Sequence, residues 1–219
     1  MGTMIEVFPR FMPVLLAGAV IAVEVAAGAL IVALIGGLVL ALANLAPFKP
    51  LRIAARSYIE LMRGTPALTQ LFIIYFGLPD VTGIDLAPVP AAIIGLGLNG
   101  AAYLADVYRA GIEAIHRGQR EAALSLGLPP VDVMRYVVLP QALQIMVPPF
   151  CNFGIQLLLN TSLVSAVAAP EIMFRARQLV KESYLSTQVY ILAAVIYLAV
   201  SIPLSHLTAR LQFKLQGAR

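Results

Sequence analysis

Five long apolar stretches, separated by shorter polar segments, dominate the chain. They cover approximately residues 13–44, 58–78, 88–110, 137–167 and 189–207. About 20 apolar residues in a helix are enough to cross the hydrocarbon core of a bilayer. The pattern therefore predicts an all-α membrane protein with five transmembrane helices in a single domain, residues 1–219. The first stretch is longer than one crossing requires, so we expect its helix to tilt or to extend past the bilayer.

Glycines and prolines predict where these helices approach one another or bend. The first helix has small faces for close contact with a neighbour at Gly28, Gly36 and Gly37. Pro140, Pro148 and Pro149 are expected to break the fourth helix, because proline removes a backbone donor and clashes with the preceding turn. Residues 168–187 are polar and are expected to lie outside the membrane.

The composition agrees with a membrane protein and excludes several other classes. Hydrophobic residues make up 60% of the chain and charged residues 12%, against about 25% charged in a typical soluble domain. Cys151 is the only cysteine, which excludes an internal disulfide, and it is distant in sequence from His116 and His206. These scattered residues predict no metal site and no catalytic centre. The net charge of +4 fits basic cytoplasmic loops, so no nucleic-acid partner is predicted.

The distribution of Lys and Arg predicts the orientation in the membrane. Eleven of the fifteen lie in residues 49–63, 109–135 and 210–219, and the other four are Arg10, Arg175, Arg177 and Lys181. Basic residues prefer the cytoplasmic side of a membrane protein. We therefore expect the N-terminus outside, the C-terminus in the cytoplasm, and the loop 111–136 on the cytoplasmic side.

Residues 121–140 form an island of charged and turn-forming residues between two apolar halves. The Glu-Ala-Ala sequence at 121–123 favours a helix, because alanine has the lowest conformational cost there. Gly127 can adopt a positive φ and end that helix, and the two prolines at 129–130 prevent its continuation. The sequence thus predicts a short helix, a sharp turn and a return into apolar surroundings, with small side chains that let a partner approach the backbone.

This spacing resembles the EAA loop of ABC-importer permeases. Glu121-Ala122-Ala123, Gly127 and Val137-Val138-Leu139-Pro140 follow the family pattern, with Val137 where the family usually has Ile. In that family the loop is a cytoplasmic helix that docks into a cleft on the ATPase subunit. The resemblance implies that the loop 111–136 couples the chain to an ATPase, and the implied coupling residues are Arg117, Gly118, Glu121, Ala122, Ala123, Gly127 and Pro140.

The resemblance extends along nearly the whole chain and points to the polar-amino-acid branch of the family. It is carried by residues 58–66, 70–79, 101–112 and 161–165. It implies the type I ABC importer permease fold and import of a polar amino acid across the bacterial cytoplasmic (inner) membrane. The chain departs from the branch at Leu159-Asn160, where Lys followed by Asp or Asn is common. Without that ammonium group the cargo stays open, and an ectoine-type compatible solute, an opine or cystine are the alternatives.

The resemblance also implies the rest of the transporter. This chain has no Gly-x-x-x-x-Gly-Lys-Ser/Thr phosphate loop, so ATP and Mg²⁺ would bind to two separate ATPase subunits. The chain itself is expected to be no enzyme and to bind no cofactor. A second permease, identical or homologous, would complete the pathway within membrane lipid. An extracytoplasmic binding protein would deliver the substrate to outer loops that include 168–187. The competing class, a channel or an intramembrane enzyme, lacks a catalytic constellation here.

Polar residues within the predicted spans are candidate substrate contacts, because placing them in a membrane is costly. Glu24 would meet an ammonium group of the substrate; the alternatives are a structural hydrogen bond or a position near the outer interface. Thr65 as N-cap and Pro66 at the first helical position predict a helix that begins inside the membrane, whose free N–H groups suit a carboxylate; the alternative is a kink that only shapes packing. The remaining candidates have uncharged polar side chains, with interhelical hydrogen bonding as the alternative role, and are Gln70, Asn99, Asn160, Thr161 and Ser162.

Charged residues near the predicted cytoplasmic edge predict local ion pairs. Glu60 with Arg63, and Asp106 with Arg109, are three residues apart on predicted helices. Alternating charges also recur at four-residue intervals, which predicts a solvated helical stripe through Arg109, Glu113, Arg117 and Glu121.

Overall fold

The computed structural model describes the backbone of residues 4–216 and the side chains of residues 8–213. Within this range the backbone folds into eight helices. They are α1 (Met4–Leu45), α2 (Lys49–Gly64), α3 (Ala67–Thr82), α4 (Pro88–Glu113), α5 (Arg117–Ser125), α6 (Pro130–Val167), α7 (Ile172–Ser183) and α8 (Ser186–Gln216). Two helices change their winding, with π-helical turns at Ile73–Gly77 in α3 and Val133–Val138 in α6 and a 3₁₀ segment at Thr161–Val167.

Four of these helices, α1, α4, α6 and α8, are long and apolar enough to cross a membrane. The expectation of an overlong first helix is confirmed, since the 42 residues of α1 extend about 63 Å at 1.5 Å per residue. The predicted span 58–78 is not one continuous helix, in agreement with the helix start that was predicted at Thr65 and Pro66. Thr65 and Pro66 are both extended, with ψ of 146° and 135°, and separate α2 from the 16-residue α3. The physical reason is that proline disfavours the helical conformation for the residue that precedes it.

Helices α1 and α4 run parallel and pack closely through small residues. A Cβ atom added at Gly28 would lie 2.9 Å from the Ile93 side chain, and one added at Gly37 would lie 2.8 Å from Leu104 Cβ. Residue numbers increase in the same direction along both helices, so the two helices are parallel. The predicted small contact faces of the first helix are confirmed, because larger side chains would push the two backbones apart.

Replacing Gly97 with alanine is expected to destabilise this α1–α4 contact. The new Cβ would lie 2.6 Å from both Cβ and Cγ1 of Val32, and overpacking of this kind costs about 1–3 kcal/mol. Gly154→Ala is the matched control, because its Cβ would lie 3.5 Å from Leu30 Cδ2, an ordinary contact, and alanine favours a helix by up to about 1 kcal/mol. Thermal unfolding of the two purified variants in detergent compares them, and equal melting temperatures would contradict the close packing.

Helix α6 continues through Pro148 and Pro149, so the predicted break in the fourth helix is wrong. Helices α4 and α8 both pack against α6. Prolines are tolerated inside membrane helices when neighbouring helices and local changes of winding compensate for the lost hydrogen bonds. Pro140 lies in the first turn of the α-helical part, where the missing N–H is least costly.

The polar segment between α6 and α8 contains α7, whose first turn is tied to two other helices. The buried Glu171 carboxylate accepts hydrogen bonds from the N–H groups of Met173 and Phe174 at 2.9 and 2.7 Å, and from the Tyr197 hydroxyl of α8 at 2.7 Å. Burial raises the pKa of the Glu171 carboxyl, and these three donors and the charge of Arg177 oppose that rise. A Cβ added at Gly18 of α1 would lie 2.9 Å from the Glu171 carbonyl carbon, so three helices meet at this residue.

Candidate functional site

The predicted coupling segment forms a separate short helix, α5, with a hydrogen-bonded cap at each end. The His116 side chain accepts a hydrogen bond from the N–H of Gly118 at 3.1 Å and caps the start. At the other end Gly127 has φ of 80°, and the N–H groups of Gly127 and Leu128 donate to the carbonyls of Leu124 and Ala123. This bond pattern is a Schellman motif, which requires a left-handed residue after the helix. The expected helix and sharp turn are therefore present.

One face of α5 is buried against its own chain, and the other is exposed. Ala123 is 5% exposed and belongs to a core cluster with Val133 and Val138 of α6. Ala123 is therefore a packing residue of this fold, whereas Glu121 and Ala122 are exposed. Large apolar side chains next to them are also exposed, namely Leu124 (50%), Leu126 (83%) and Val131 (74%). We call the exposed residues Glu121, Ala122, Leu124, Leu126 and Val131 the α5 surface.

The charged residues at this end of the bundle pair across helices as well as along them. Asp106 Oδ1 lies 3.4 Å from Arg109 Nη2, and Arg109 Nη1 lies 2.9 Å from Glu113 Oε2. The predicted pair of Asp106 with Arg109 is confirmed. The predicted pair of Arg63 with Glu60 is wrong, because the Arg63 guanidinium reaches across from α2 to Asp106 of α4. The predicted continuous stripe is wrong too, since α4 ends at Glu113 before α5 begins.

A polar cavity of about 540 Å³ lies beside the break between α2 and α3. Residues from α2, α3, α4 and α6 form its walls, and it combines polar side chains with the rings of Tyr103 and Phe153. We call it the upper cavity. Its lining residues are Arg63, Gly64, Thr65, Pro66, Ala67, Asn99, Tyr103, Phe153, Gln156 and Asn160.

Hydrogen bonds from two amide side chains hold the helix break open. Gln70 Nε2 lies 2.8 Å from Met62 O, 3.1 Å from Thr65 O and 2.7 Å from Thr65 Oγ1. Asn99 Nδ2 donates to Gln70 Oε1 at 3.0 Å and to Met62 O at 3.2 Å. The Thr65 hydroxyl donates to Leu61 O at 2.8 Å, at the end of α2. The prediction that Thr65 caps the start of α3 is therefore wrong. A break in an apolar environment persists only where such donors satisfy the freed carbonyls.

The structure brings together four of the eight predicted pathway residues. Thr65, Pro66, Asn99 and Asn160 line the upper cavity. The other four do not line it. Gln70 is buried behind the break, and Glu24 is exposed on α1. Thr161 donates to the Leu158 carbonyl at 2.7 Å and Ser162 to the Leu159 carbonyl at 2.9 Å. Thr161 and Ser162 therefore bond within their own helix.

Three polar residues of the upper cavity were not predicted from the sequence. Gln156 donates to Asn160 Oδ1 at 3.0 Å, and their spacing of four residues on a helix is a signal that could have revealed Gln156. Tyr103 and Arg63 line the same cavity, with the guanidinium carbon 5.5 Å from the ring centroid. They belong to different helices, so no local spacing rule connects them.

The family of the chain follows from its similarity to known proteins. Residues 33–217 match the model of the family described as binding-protein-dependent transport system inner membrane component. The chain belongs to this family. Membership confirms the predicted membrane-spanning permease and its multi-pass position in the inner membrane.

Individual relatives of this permease match between about three quarters and nearly all of its length. It is 35% identical over 205 residues to the arginine transport system permease protein ArtQ of Bacillus subtilis strain 168, a match that covers 94% of each chain. It is 34% identical over 160 residues to the glutamine transport system permease protein GlnP of Escherichia coli strain K12, covering 73% of each chain.

Solved structures confirm the predicted type I ABC importer permease fold. A crystal structure of an amino acid ABC transporter with histidines matches 98% of the permease and 100% of its own chain, with a TM-score of 0.92 and 32% identity. An inward-facing structure of the MetNI methionine ABC transporter matches 94% of the permease with a TM-score of 0.79. At 19% identity, this second match concerns the fold alone.

Proposed function

We propose that this permease imports a polar amino acid across the cytoplasmic membrane, driven by ATP that separate subunits hydrolyse. The observation that carries the proposal is the end-to-end similarity to amino-acid permeases, together with the TM-score of 0.92 to an amino acid ABC transporter. The channel or intramembrane-enzyme alternative is set aside, because the chain belongs to a transport-system family. An ectoine-type solute, an opine or cystine is the alternative cargo.

The α5 surface is the proposed attachment site for the ATPase. Exposed leucine and valine side chains beside Glu121 offer apolar area that a cleft on a partner would bury, and the caps at His116 and Gly127 hold the helix in a fixed orientation. Two ATPase subunits would each hold one α5, from this permease and from a second permease that is identical or homologous. ATP and Mg²⁺ would bind on the ATPase subunits, and this chain would need no cofactor. Their closure would shift the balance between inward- and outward-facing states.

The upper cavity is the proposed substrate pathway. The first N–H groups of α3 follow Pro66 at its edge, and the positive end of a helix dipole favours a substrate carboxylate. Asn160 and Gln156 would supply amide groups to the rest of the cargo. Glu24 is exposed on the apolar helix α1, where a carboxylate facing lipid would be costly. We therefore propose that Glu24 faces the second permease and contacts the pathway that the two permeases share.

An extracytoplasmic binding protein is proposed to dock on the side opposite α5. The N-terminus would lie on that outer side and the C-terminus in the cytoplasm, as the distribution of basic residues suggests. Helix α7 would contribute its exposed face to this contact, including Arg177, Lys181 and Glu182, while its buried face holds it against α1.

The function is tested by ATP hydrolysis in the assembled transporter. The permease is purified with its ATPase in lipid nanodiscs, and hydrolysis is measured with binding protein and each of Arg, Lys, His, Glu, Gln, cystine and ectoine. We expect one amino acid to stimulate hydrolysis, because cargo delivery favours the state in which the ATPases close. Stimulation by ectoine alone would keep the transporter and correct the cargo. A folded complex that no cargo stimulates would contradict the proposal.

A further inference from the structure

A second polar cavity lies below the upper cavity, towards α5. Its volume is about 410 Å³, and we call it the lower cavity. It lies between the C-terminal ends of α1 and α4 and one face of α2, where Asn44 accepts a hydrogen bond from Arg56 at 2.8 Å. Helix α4 ends at Glu113, which lines this cavity, and α5 starts four residues later. The lower cavity therefore lies on the side of the bundle that carries the coupling helix.

Among the residues that the structure describes, Arg63 is the one that lines both cavities. Its guanidinium lies between Tyr103, which lines the upper cavity, and Asp106, which lines the lower one. The Asp106 carboxylate also approaches Arg109 at 3.4 Å, and Arg109 pairs with Glu113 at 2.9 Å. Arg63 and Asp106 are 47% and 30% exposed, so water reaches the pair and it is free to separate.

We propose that the pair of Arg63 and Asp106 is the cytoplasmic gate between the upper and the lower cavity, and that the cargo's carboxylate opens it by taking Arg63 from Asp106. The proposal rests on the proposed import function and assigns part of the pathway to named residues. While the pair is closed, side chains from α2 and α4 bridge the floor of the upper cavity. When it opens, the two cavities join into one path towards the cytoplasm.

The exchange keeps every charge compensated. A guanidinium has five N–H donors in a planar fork that suits a carboxylate, and the single hydrogen bond to Asp106 leaves several of them for an arriving ligand. When Arg63 turns to the cargo, Asp106 keeps Arg109 as its partner. The guanidinium also lies over the Tyr103 ring, with its carbon 5.5 Å from the ring centroid, and this contact would keep Arg63 at the floor of the upper cavity during the exchange.

The neighbouring pair of Arg109 and Glu113 provides a matched control. It is also an exposed Arg–carboxylate pair, with an N–O distance of 2.9 Å, but neither residue lines the upper cavity. Glu113→Gln therefore removes an ion pair of the same type and leaves the floor of the upper cavity intact. Asp106→Asn and Arg63→Gln each remove the proposed gate pair.

The first test measures access and needs no transport. Asn160→Cys places a thiol in the upper cavity in a complex whose other cysteines, including Cys151, are replaced by serine. A membrane-impermeant maleimide is added from the cytoplasmic side of inside-out vesicles. We expect Asp106→Asn and Arg63→Gln to raise the labelling rate about two- to fivefold, which is the change in the open population when an exposed ion pair is lost. Glu113→Gln is expected to leave the labelling rate unchanged. Unchanged labelling in both gate variants, or an equal rise with Glu113→Gln, would overturn the gate.

The second test measures uptake of L-arginine and L-glutamine into proteoliposomes that contain the ATPase and the binding protein. Both amino acids have the carboxylate that Arg63 would receive, so Arg63→Gln is expected to reduce uptake of the transported one at least tenfold, whereas Asp106→Asn retains uptake. Wild-type uptake rates in Arg63→Gln would overturn the exchange. If the wild-type complex imports neither amino acid, its cargo is a different one, and the labelling test still decides whether the gate exists.

Discussion

Replacing Gly127 with valine is expected to detach the ATPase subunits while the membrane helices stay folded. Gly127 has φ of 80°, and a Cβ atom added there would meet nothing within 4 Å, so the cost is one of backbone conformation alone. A left-handed residue other than glycine costs about 1–2 kcal/mol, and more for a β-branched side chain. The chain can avoid this cost by unwinding the last turn of α5, which would move Leu124 and Leu126 of the α5 surface.

The measurement is the amount of ATPase that co-purifies with the permease. A loss of 1–2 kcal/mol corresponds to attachment that is about 5- to 30-fold weaker. Gly83→Val is the matched control, because Gly83 also has a positive φ, 69°, and also lies in open space, but it follows α3 at a distance from α5. Both variants should melt at similar temperatures, and only Gly127→Val should lose the ATPase. Normal attachment in Gly127→Val, or equal loss in both, would show that this turn does not position the docking helix.

The turn at Gly127 could be predicted from the sequence because its determinants are local. An Ala-rich turn, a glycine and two prolines within ten residues leave the backbone few alternatives. The same reasoning located the helix start at Thr65-Pro66, but not the groups that stabilise it. Proline marks where a helix stops, whereas the donors that stabilise the gap come from Gln70 and Asn99, and Asn99 is 37 residues from the Met62 carbonyl it contacts.

Residues whose partners come from distant segments could not be placed from the sequence. Glu171 lies in the polar segment 168–187, and no local pattern reveals that Gly18 of α1 and Tyr197 of α8 enclose it. Arg63 was expected to pair with Glu60 by local spacing, and the structure brings Asp106, 43 residues away, to it instead. In both cases the partner is fixed by helix packing, about which local spacing rules hold no information.

Substituting Gln70 with leucine is expected to destabilise the permease strongly, because its amide group supports the break beneath the pathway. Gln70 is 6% exposed. Its side-chain N–H groups donate to the Met62 and Thr65 carbonyls, and its side-chain oxygen accepts a hydrogen bond from Asn99. Leucine would leave the Thr65 carbonyl without its side-chain donor and Asn99 without one acceptor. Each buried polar group left without a partner costs about 1–3 kcal/mol, so a loss of several kcal/mol follows. Thermal unfolding in detergent and the yield of folded protein measure this loss.

Asn160→Leu provides the contrast, because Asn160 lines the same cavity without supporting the break. Its side-chain oxygen accepts a hydrogen bond from Gln156, an exposed residue one turn away on the same helix. We expect the free energy of unfolding of Asn160→Leu to lie within about 0.5 kcal/mol of the wild-type value, because the substitution frees only the exposed Gln156 amide, and we expect the variant to lose cargo-stimulated ATP hydrolysis. If Gln70→Leu were as stable as the wild type and impaired only transport, Gln70 would be a substrate contact, and the carbonyls at the break would need other donors. If Asn160→Leu unfolded as readily as Gln70→Leu, the upper cavity would be a structural polar core and the substrate pathway would lie elsewhere.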